Sequence, residues 1–384
     1  MTELAVLQIS SIGKNSLKKR IPNCAAPVEK RMMMSSKKIV GIGLSGGIDS
    51  FVAARLLLDR GYEVRAFTLD FAGEGEVSEA VAPAQAIAKA LGISHTVLQA
   101  NAEFEKWIIE PFVEDYACGR TPSPCVRCNE KVKFGIMSHA ASAAGCDFIA
   151  TGHYADIQWN AESGRYELIR GIDPMKDQSY FLARLTQKQL SNVLFPLGKK
   201  LKSEIQKYAE SLNVVFKKQK ESQDLCFIPD GHFANFIEER RPDLCVEGWI
   251  VDSCGKKLGK HTGAFQYTRG QRRGLGLGGG PWFVLESRLN DNTVVVGRNE
   301  DLMSSKIYIR DVVCGARQLC PGTKIDCQVQ VRYRMKEVPA VLEMQDDKNA
   351  ILHFCSPVMA ATLGQQAVCY LEKAVLASGW IEKI

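Results

Sequence analysis

Along residues 37–151, apolar and polar positions alternate between two periods. Lys38–Leu44 is a β-branched run apolar on both faces, and Glu63–Thr68, Ser94–Leu98 and Asp147–Thr151 also read as strands. Between them, Asp49–Arg60, Ser78–Leu91, Ala102–Tyr116 and Glu130–Ala144 carry helical spacing. Gly61, Gly92 and Gly145 stand where helices take a left-handed closing residue. Strand–helix alternation predicts an α/β fold built on a parallel, doubly wound sheet covered on both faces. Such sheets bind ligands at the C-terminal ends of their strands. A further helix is expected at Lys202–Leu212. From about Asp230 to Gly297 the chain turns rich in Gly, Arg and aromatics, with short strand candidates. Beyond Ser305 it reads as strands, Lys324–Arg332, Ala340–Met344, Ala350–Phe354 and Ala367–Tyr370, which predict a small β-barrel or sandwich.

The junction after the first strand, Ile39–Ser50, reads IVGIGLSGGIDS. Glycines let backbone N–H groups approach an anion, and the helix N-terminus adds about half a positive charge. Ser45, Gly46, Gly47, Asp49 and Ser50 are too dense for an ordinary turn and predict a phosphate cradle. No Lys follows the glycines, so the pattern is not a GxxxxGK[ST] loop. Leu69 and Asp70 end the second strand beside it, where adenine or ribose could rest.

Composition adds bounds. A chain of 384 residues has room for two or three domains. No apolar run approaches the roughly 18 residues of a membrane helix. The formal net charge of +6 points to a polyanionic partner. Thirteen cysteines, an odd count in a long chain, point to a reduced, cytoplasmic compartment. Residues 1–36 are basic without an amphipathic stripe and read as a disordered extension rather than a targeting or RNA-contacting arm.

A second motif, Gly119–Gly135, reads GRTPSPCVRCNEKVKFG, with Pro122 and Pro124 stiffening a loop and Cys125 and Cys128 just before a helix. A helix N-terminus eases ionisation of a thiol. No second CxxC or HxxxH follows, which argues against tetrahedral zinc. Cys226, within ESQDLCFI, has apolar neighbours that alone would make it a core thiol. Arg269, Arg272 and Arg273, near Trp282 and Phe283, form a basic and aromatic segment that suits RNA.

SGGIDS resembles the loop of the ATP-pyrophosphatases, which cleave ATP to AMP and pyrophosphate. Taken in order with TPSPCVRCN, TGHYAD, KDQSYFL, SQDLCFI and TRGQRRGLG, it resembles the tRNA-specific 2-thiouridylase family over nearly everything after residue 37. The resemblance implies an ATP-binding catalytic domain over 37–228, a central tRNA-binding domain over 229–300 and a β-barrel domain over 301–384. It implies adenylation of O2 of the wobble uridine with ATP and Mg2+, then sulfur transfer to C2. Cys226 corresponds to the cysteine that carries sulfur as a persulfide from a donor protein, and Cys128 to the nucleophile that completes transfer. Gly43, Leu44, Ser45, Gly46, Gly47, Ile48, Asp49, Ser50 and Leu69 correspond to ATP contacts, with Gly152 near the adenosine. Ser123, Pro124 and Cys125 would flank the target uracil. His153, Lys176, Asp177, Gln178, Arg332, Tyr333 and Gln365 correspond to tRNA contacts. Cys125, where some members have Asp, leaves a second route open: a [4Fe–4S] cluster on Cys125, Cys128 and Cys226. The persulfide route is placed ahead of it. Phe71–Ser78 is shorter than in many members and lacks their Cys, which puts a contact from that loop in doubt. Two rivals are an amide synthetase on the same loop, for which no glutaminase nucleophile is present, and an RNA-binding module with a decayed loop. The intact SGGIDS speaks against decay.

Overall fold

The computed structural model describes residues 37–73, 76–212, 225–228 and 230–384. The basic extension over 1–36 and the first half of ESQDLCFI lie outside the described residues. The chain divides into two compact units: described residues within 37–101, 133–179 and 187–212 form the first, and those within 102–132, 180–186 and 225–384 the second.

In the first unit the strands are Ile39–Gly43 (β1), Glu63–Asp70 (β2), Ser94–Gln99 (β3), Phe148–Ala150 (β4), the hairpin Ala155–Asn160 (β5) and Arg165–Arg170 (β6), and Val193–Leu194 (β7). Five of them form a parallel sheet ordered β3-β2-β1-β4-β7. Central β1 pairs on both sides, and its Val40 and Ile42 are fully buried against Val52, Ala53 and Leu57 of the helix Ile48–Asp59 (α1). Gly61, Gly92 and Gly145 have φ of 86°, 66° and 80°, the left-handed conformation expected of closing residues.

The second unit holds a four-stranded sheet of Gly248–Asp252 (β8), Lys257–His261 (β9), Phe283–Arg288 (β10) and Thr293–Gly297 (β11), ordered β10-β11-β8-β9 over Ile250, Val284, Val294 and Val296. Six further strands follow: Met303–Cys314 (β12), Lys324–Gln330 (β13), Val338–Met344 (β14), Ala350–Met359 (β15), Gln366–Leu371 (β16) and Ala374–Lys383 (β17). They run β12-β15-β14-β13-β16-β17, and antiparallel pairing of β12 with β17 closes the barrel, leaving no edge among these six strands.

Candidate functional site

In the first unit, β1 ends at Gly43 and the chain crosses Leu44–Gly47 into α1. The end of β2 fixes the start of this loop: Leu44 N–H donates to Phe67 O (2.9 Å), and Thr68 Oγ1 donates to Leu44 O (3.0 Å). Half-buried Leu69 follows. Asp70, fully buried, accepts from the N–H groups of Ala72 and Ser78. Burial pushes its carboxyl up, but those bonds outweigh it and hold the group below the usual carboxylate range.

Gly46 has φ of 78°, and a Cβ there would stand 2.7 Å from Pro83 Cβ, so the protein's own packing requires this glycine. Gly47 differs. It caps α1 in an extended conformation, and a Cβ would meet only Ser45 Oγ at 3.7 Å. Ser50 Oγ accepts from Ser45 N–H (3.3 Å) and donates to Gly47 O (2.9 Å), closing the loop on itself.

Two residues the sequence reading did not single out complete the loop. Tyr154 Oη donates to Asp49 Oδ1 (2.7 Å), and Lys202 Nζ lies 2.7 Å from both Asp49 oxygens. Lys202 opens the helix Lys202–Ser211, 153 residues along the chain from Asp49. Tyr154 sits inside TGHYAD, the one available signal. Lys202 had none beyond its place after a strand. The resulting arrangement is a cradle-like loop at the start of α1 whose single carboxylate is paired with Lys202.

TGHYAD packs directly on the cradle. A Cβ on Gly152 would stand 2.9 Å from Asp49 C and Ser50 N, so only glycine admits this approach. His153 is half-buried, with Nδ1 2.7 Å from Thr151 Oγ1 and its ring beside Phe134 and Phe195. Burial, with Lys133 nearby, pushes the imidazole well below the usual histidine range and keeps it neutral at pH 7. In KDQSYFL, Asp177 accepts from Gly171 N–H, Ser179 N–H, Ser179 Oγ and Arg170 Nη1, all within 2.9–3.0 Å. Gln178 accepts from Tyr154 N–H through Oε1 and donates its own N–H to Tyr154 O, both at 2.9 Å. Asp177 and Gln178 therefore brace the Tyr154 segment, whereas Lys176 is half-exposed beside them.

In the second unit, Cys125 and Cys128 were expected just before a helix opening at Glu130. They lie within it: Pro124 opens the helix Pro124–Arg127, which continues as wider π turns over Cys128–Met137. Proline suits a first helical position, where no N–H is needed and φ is already set. Cys125 is exposed and Cys128 partly exposed. The preceding loop is held by the barrel. Gln365 Nε2 donates to Thr121 O (2.9 Å) and Pro122 O (3.0 Å), and its Oε1 accepts from Ser123 Oγ (3.1 Å). The exposed Cys226 rides on a turn whose neighbour Phe227 meets Phe104 and Phe112 edge-on, at 5.8 and 5.1 Å between ring centres. The helix Pro124–Arg127 packs against the π turn Glu105–Ile109, between those two phenylalanines. Phe227, beside Cys226, and the helix that bears Cys125 thus both meet the helical stretch 101–117.

Arg332 donates to Thr362 Oγ1 (2.6 Å) and Arg269 O (3.2 Å), and burial pushes its guanidinium below the usual range. Tyr333 packs on Phe181 at 4.3 Å between ring centres. Arg269, expected in an exposed basic segment, instead turns inward and donates to Leu285 O (2.6 Å); Arg272 and Arg273 stay exposed. Among the described residues no three His, Cys, Asp or Glu side chains converge as a metal requires, Cys125, Cys128 and Cys226 included.

Family models match the chain in three stretches: a tRNA methyl transferase HUP domain over residues 38–230, a tRNA methyl transferase PRC-barrel domain over 234–298 and an aminomethyltransferase beta-barrel domain over 304–381. The tRNA-specific 2-thiouridylase MnmA of Carboxydothermus hydrogenoformans is 38% identical over 92% of this chain and 100% of its own length. Its counterpart from Geotalea uraniireducens is 39% identical over 91% of this chain and 96% of its own. That from Clostridioides difficile is 36% identical over 91% and 99%. Identity at this level, spread across both units, makes the chain a member of the tRNA-specific 2-thiouridylase family.

Proposed function

We propose that the chain makes 2-thiouridine at the wobble position, 34, of tRNA, with ATP as the activating substrate and a persulfide-bearing protein as the sulfur donor. The uracil O2 attacks the α-phosphorus of ATP, and pyrophosphate leaves into the Ser45–Ser50 loop, whose N–H groups and helix end face the departing charge. The target base must leave the anticodon stack, which costs a few kcal/mol and less in a loop. The terminal sulfur of a Cys226 persulfide then attacks C2. The Cys128 thiolate attacks Cys226 Sγ, the S–S bond breaks toward the C2-bound sulfur, and AMP departs. A Cys128–Cys226 disulfide remains, which a two-electron thiol reductant reopens before the next turnover.

What supports the sulfur step is that Cys226 is exposed and Cys128 partly exposed, both within the second unit. Glycine at position 47, open to a ligand rather than filled by protein, supports the ATP step. The family contacts of Lys176, Arg332, Tyr333 and Gln365, and the division of labour over 37–228, 229–300 and 301–384, belong to the same proposal. So does a cytoplasmic site for the reaction; among the described residues no helix is long and apolar enough to cross a membrane.

Replacing Cys226 with Ser tests it. In single turnover with ATP and unmodified tRNA, the variant is expected to release pyrophosphate at the wild-type rate and yield no 2-thiouridine by nucleoside mass spectrometry. Thiolated tRNA from Cys226→Ser would overturn the assignment.

A further inference from the structure

The residues around Cys128 meet the barrel at an indole, beside other contacts to it. Arg127, immediately before it, places its guanidinium 5.0 Å from the ring centre of Trp380, with Nη2 3.4 Å from Asp115 Oδ2. Glu130, two residues after it, accepts from Arg184 Nε (2.8 Å), and the Arg184 guanidinium lies 4.9 Å from the same Trp380 ring. Arg184 also donates to Asp311 O (2.9 Å) on β12. Between these, Asn129 is buried and donates to Phe181 O (3.1 Å). Trp380 itself lies on β17 and is 5% exposed. Guanidinium groups over an indole are attracted by its negative face, more strongly where water is excluded. Arg184 and Glu130 are charges that burial would penalise alone. Burial pushes the Glu130 carboxyl up, yet Arg184 and Lys131 outweigh it and hold the group ionised below its ordinary range.

Resting on the reading above, we propose that Trp380 is a positioning residue for the Cys128 thiol: it fixes Arg127 directly and Glu130 through Arg184. The residues flanking the nucleophile are thereby immobilised while the thiol stays accessible. Covalent chemistry is sensitive to such placement; a displacement of about 1 Å can cost about a hundredfold in rate. The barrel then contributes to the chemical step itself as well as offering a surface for RNA.

Trp380→Leu keeps an apolar side chain but removes the ring that holds both arginines, and Trp380→Phe keeps a ring. In the leucine variant the thiolation rate at saturating ATP and tRNA is expected to fall about tenfold or more, with both KM values unchanged. Amide hydrogen exchange should quicken in residues 125–132 while β13–β16 exchange as in the wild type. The phenylalanine variant should restore most of the rate. Thiolation at the wild-type rate in Trp380→Leu would overturn the proposal. So would faster exchange throughout the barrel, which would make the indole a stability element only. If the unaltered protein makes no 2-thiouridine, the functional reading fails, and the exchange measurement still decides whether Trp380 immobilises the Cys128 turn.

Discussion

Asp49 shows what a single side chain must reconcile. A carboxylate at the first turn of α1 favours the helix dipole, yet on the proposed function it stands beside the entering phosphates. The structure resolves the conflict by setting Lys202 Nζ 2.7 Å from both oxygens, with the lysine side chain 16% and the carboxylate 33% exposed. Surface ion pairs contribute little, but removing one partner of a partly buried pair leaves a charge facing the ligand. Lys202→Met keeps the length and apolar stem of the side chain. It is expected to weaken ATP binding about tenfold or more, about 1.4 kcal/mol, in an equilibrium titration, with a small change in melting temperature. Wild-type affinity in this variant would remove Lys202 from the site. No local pattern announces such a residue: its partner lies 153 positions away, and only the parallel sheet brings the two together.

At the scale of elements, two glycines meet different requirements, Gly152 packed against the start of α1 and Gly47 within the loop between β1 and α1. Gly152 is excluded from carrying a Cβ by backbone atoms of Asp49 and Ser50 at 2.9 Å, whereas Gly47 faces only a hydroxyl at 3.7 Å. Alanine at the two positions should therefore act differently. Gly152→Ala forces backbone apart and should cost stability, about 1–3 kcal/mol as overpacked sites do, together with ATP affinity. Gly47→Ala should leave the melting temperature unchanged and reduce ATP affinity alone. Calorimetric melts and nucleotide titrations of both variants check this, and a Gly47→Ala protein that binds ATP normally would show that no ligand approaches there. The loop was legible because glycine, serine and aspartate are dictated locally, by φ and by the needs of an anion. Of the parallel strands read from the sequence, β1 was equally local, since burial on both faces writes a continuous apolar run, whereas β3 lies exposed or half-buried along its length. The barrel was legible only in its middle. Strand β17, AVLASGWIEK, is buried over seven consecutive positions, so it shows no alternation. In β12, irregularities between Tyr308 and Ile309 and between Arg310 and Val313 shift the register against β17 and blur the period. The hairpin β5–β6 went unread because its polar alternation resembles a surface loop.

Over the whole molecule, three imidazoles, two half-buried and one buried, are expected to give a common pH dependence. His95, His153 and His261 are all pushed below the ordinary histidine range, each mainly by burial. His95 has its Nε2 2.8 Å from Thr68 Oγ1, and His261 has its Nε2 3.1 Å from Asn292 O, so each neutral ring keeps a polar partner. In the unfolded chain these groups take up protons near pH 6.5, while in the folded chain they resist. Below that pH the unfolded state binds more protons, so stability falls as pH falls; above about pH 7 the contribution is constant. The lowered carboxyls of Asp70 and Glu130 act in a separate window, losing their contribution only as pH drops below the ordinary carboxylate range. Denaturant midpoints are therefore expected to decline from pH 7 to 5.5, well before carboxylates protonate. His153 lies in the first unit and His261 in the second, so the two can be separated. His153→Gln should flatten the decline for β1 and β4, by up to about 1.4 kcal/mol per pH unit, and leave that of β8 and β9 unchanged. Hydrogen exchange followed strand by strand at pH 7 and 5.5 reads both. An equal flattening in both units would mean that they unfold as one cooperative body, and no flattening in either would mean that His153 is protonated in the folded state.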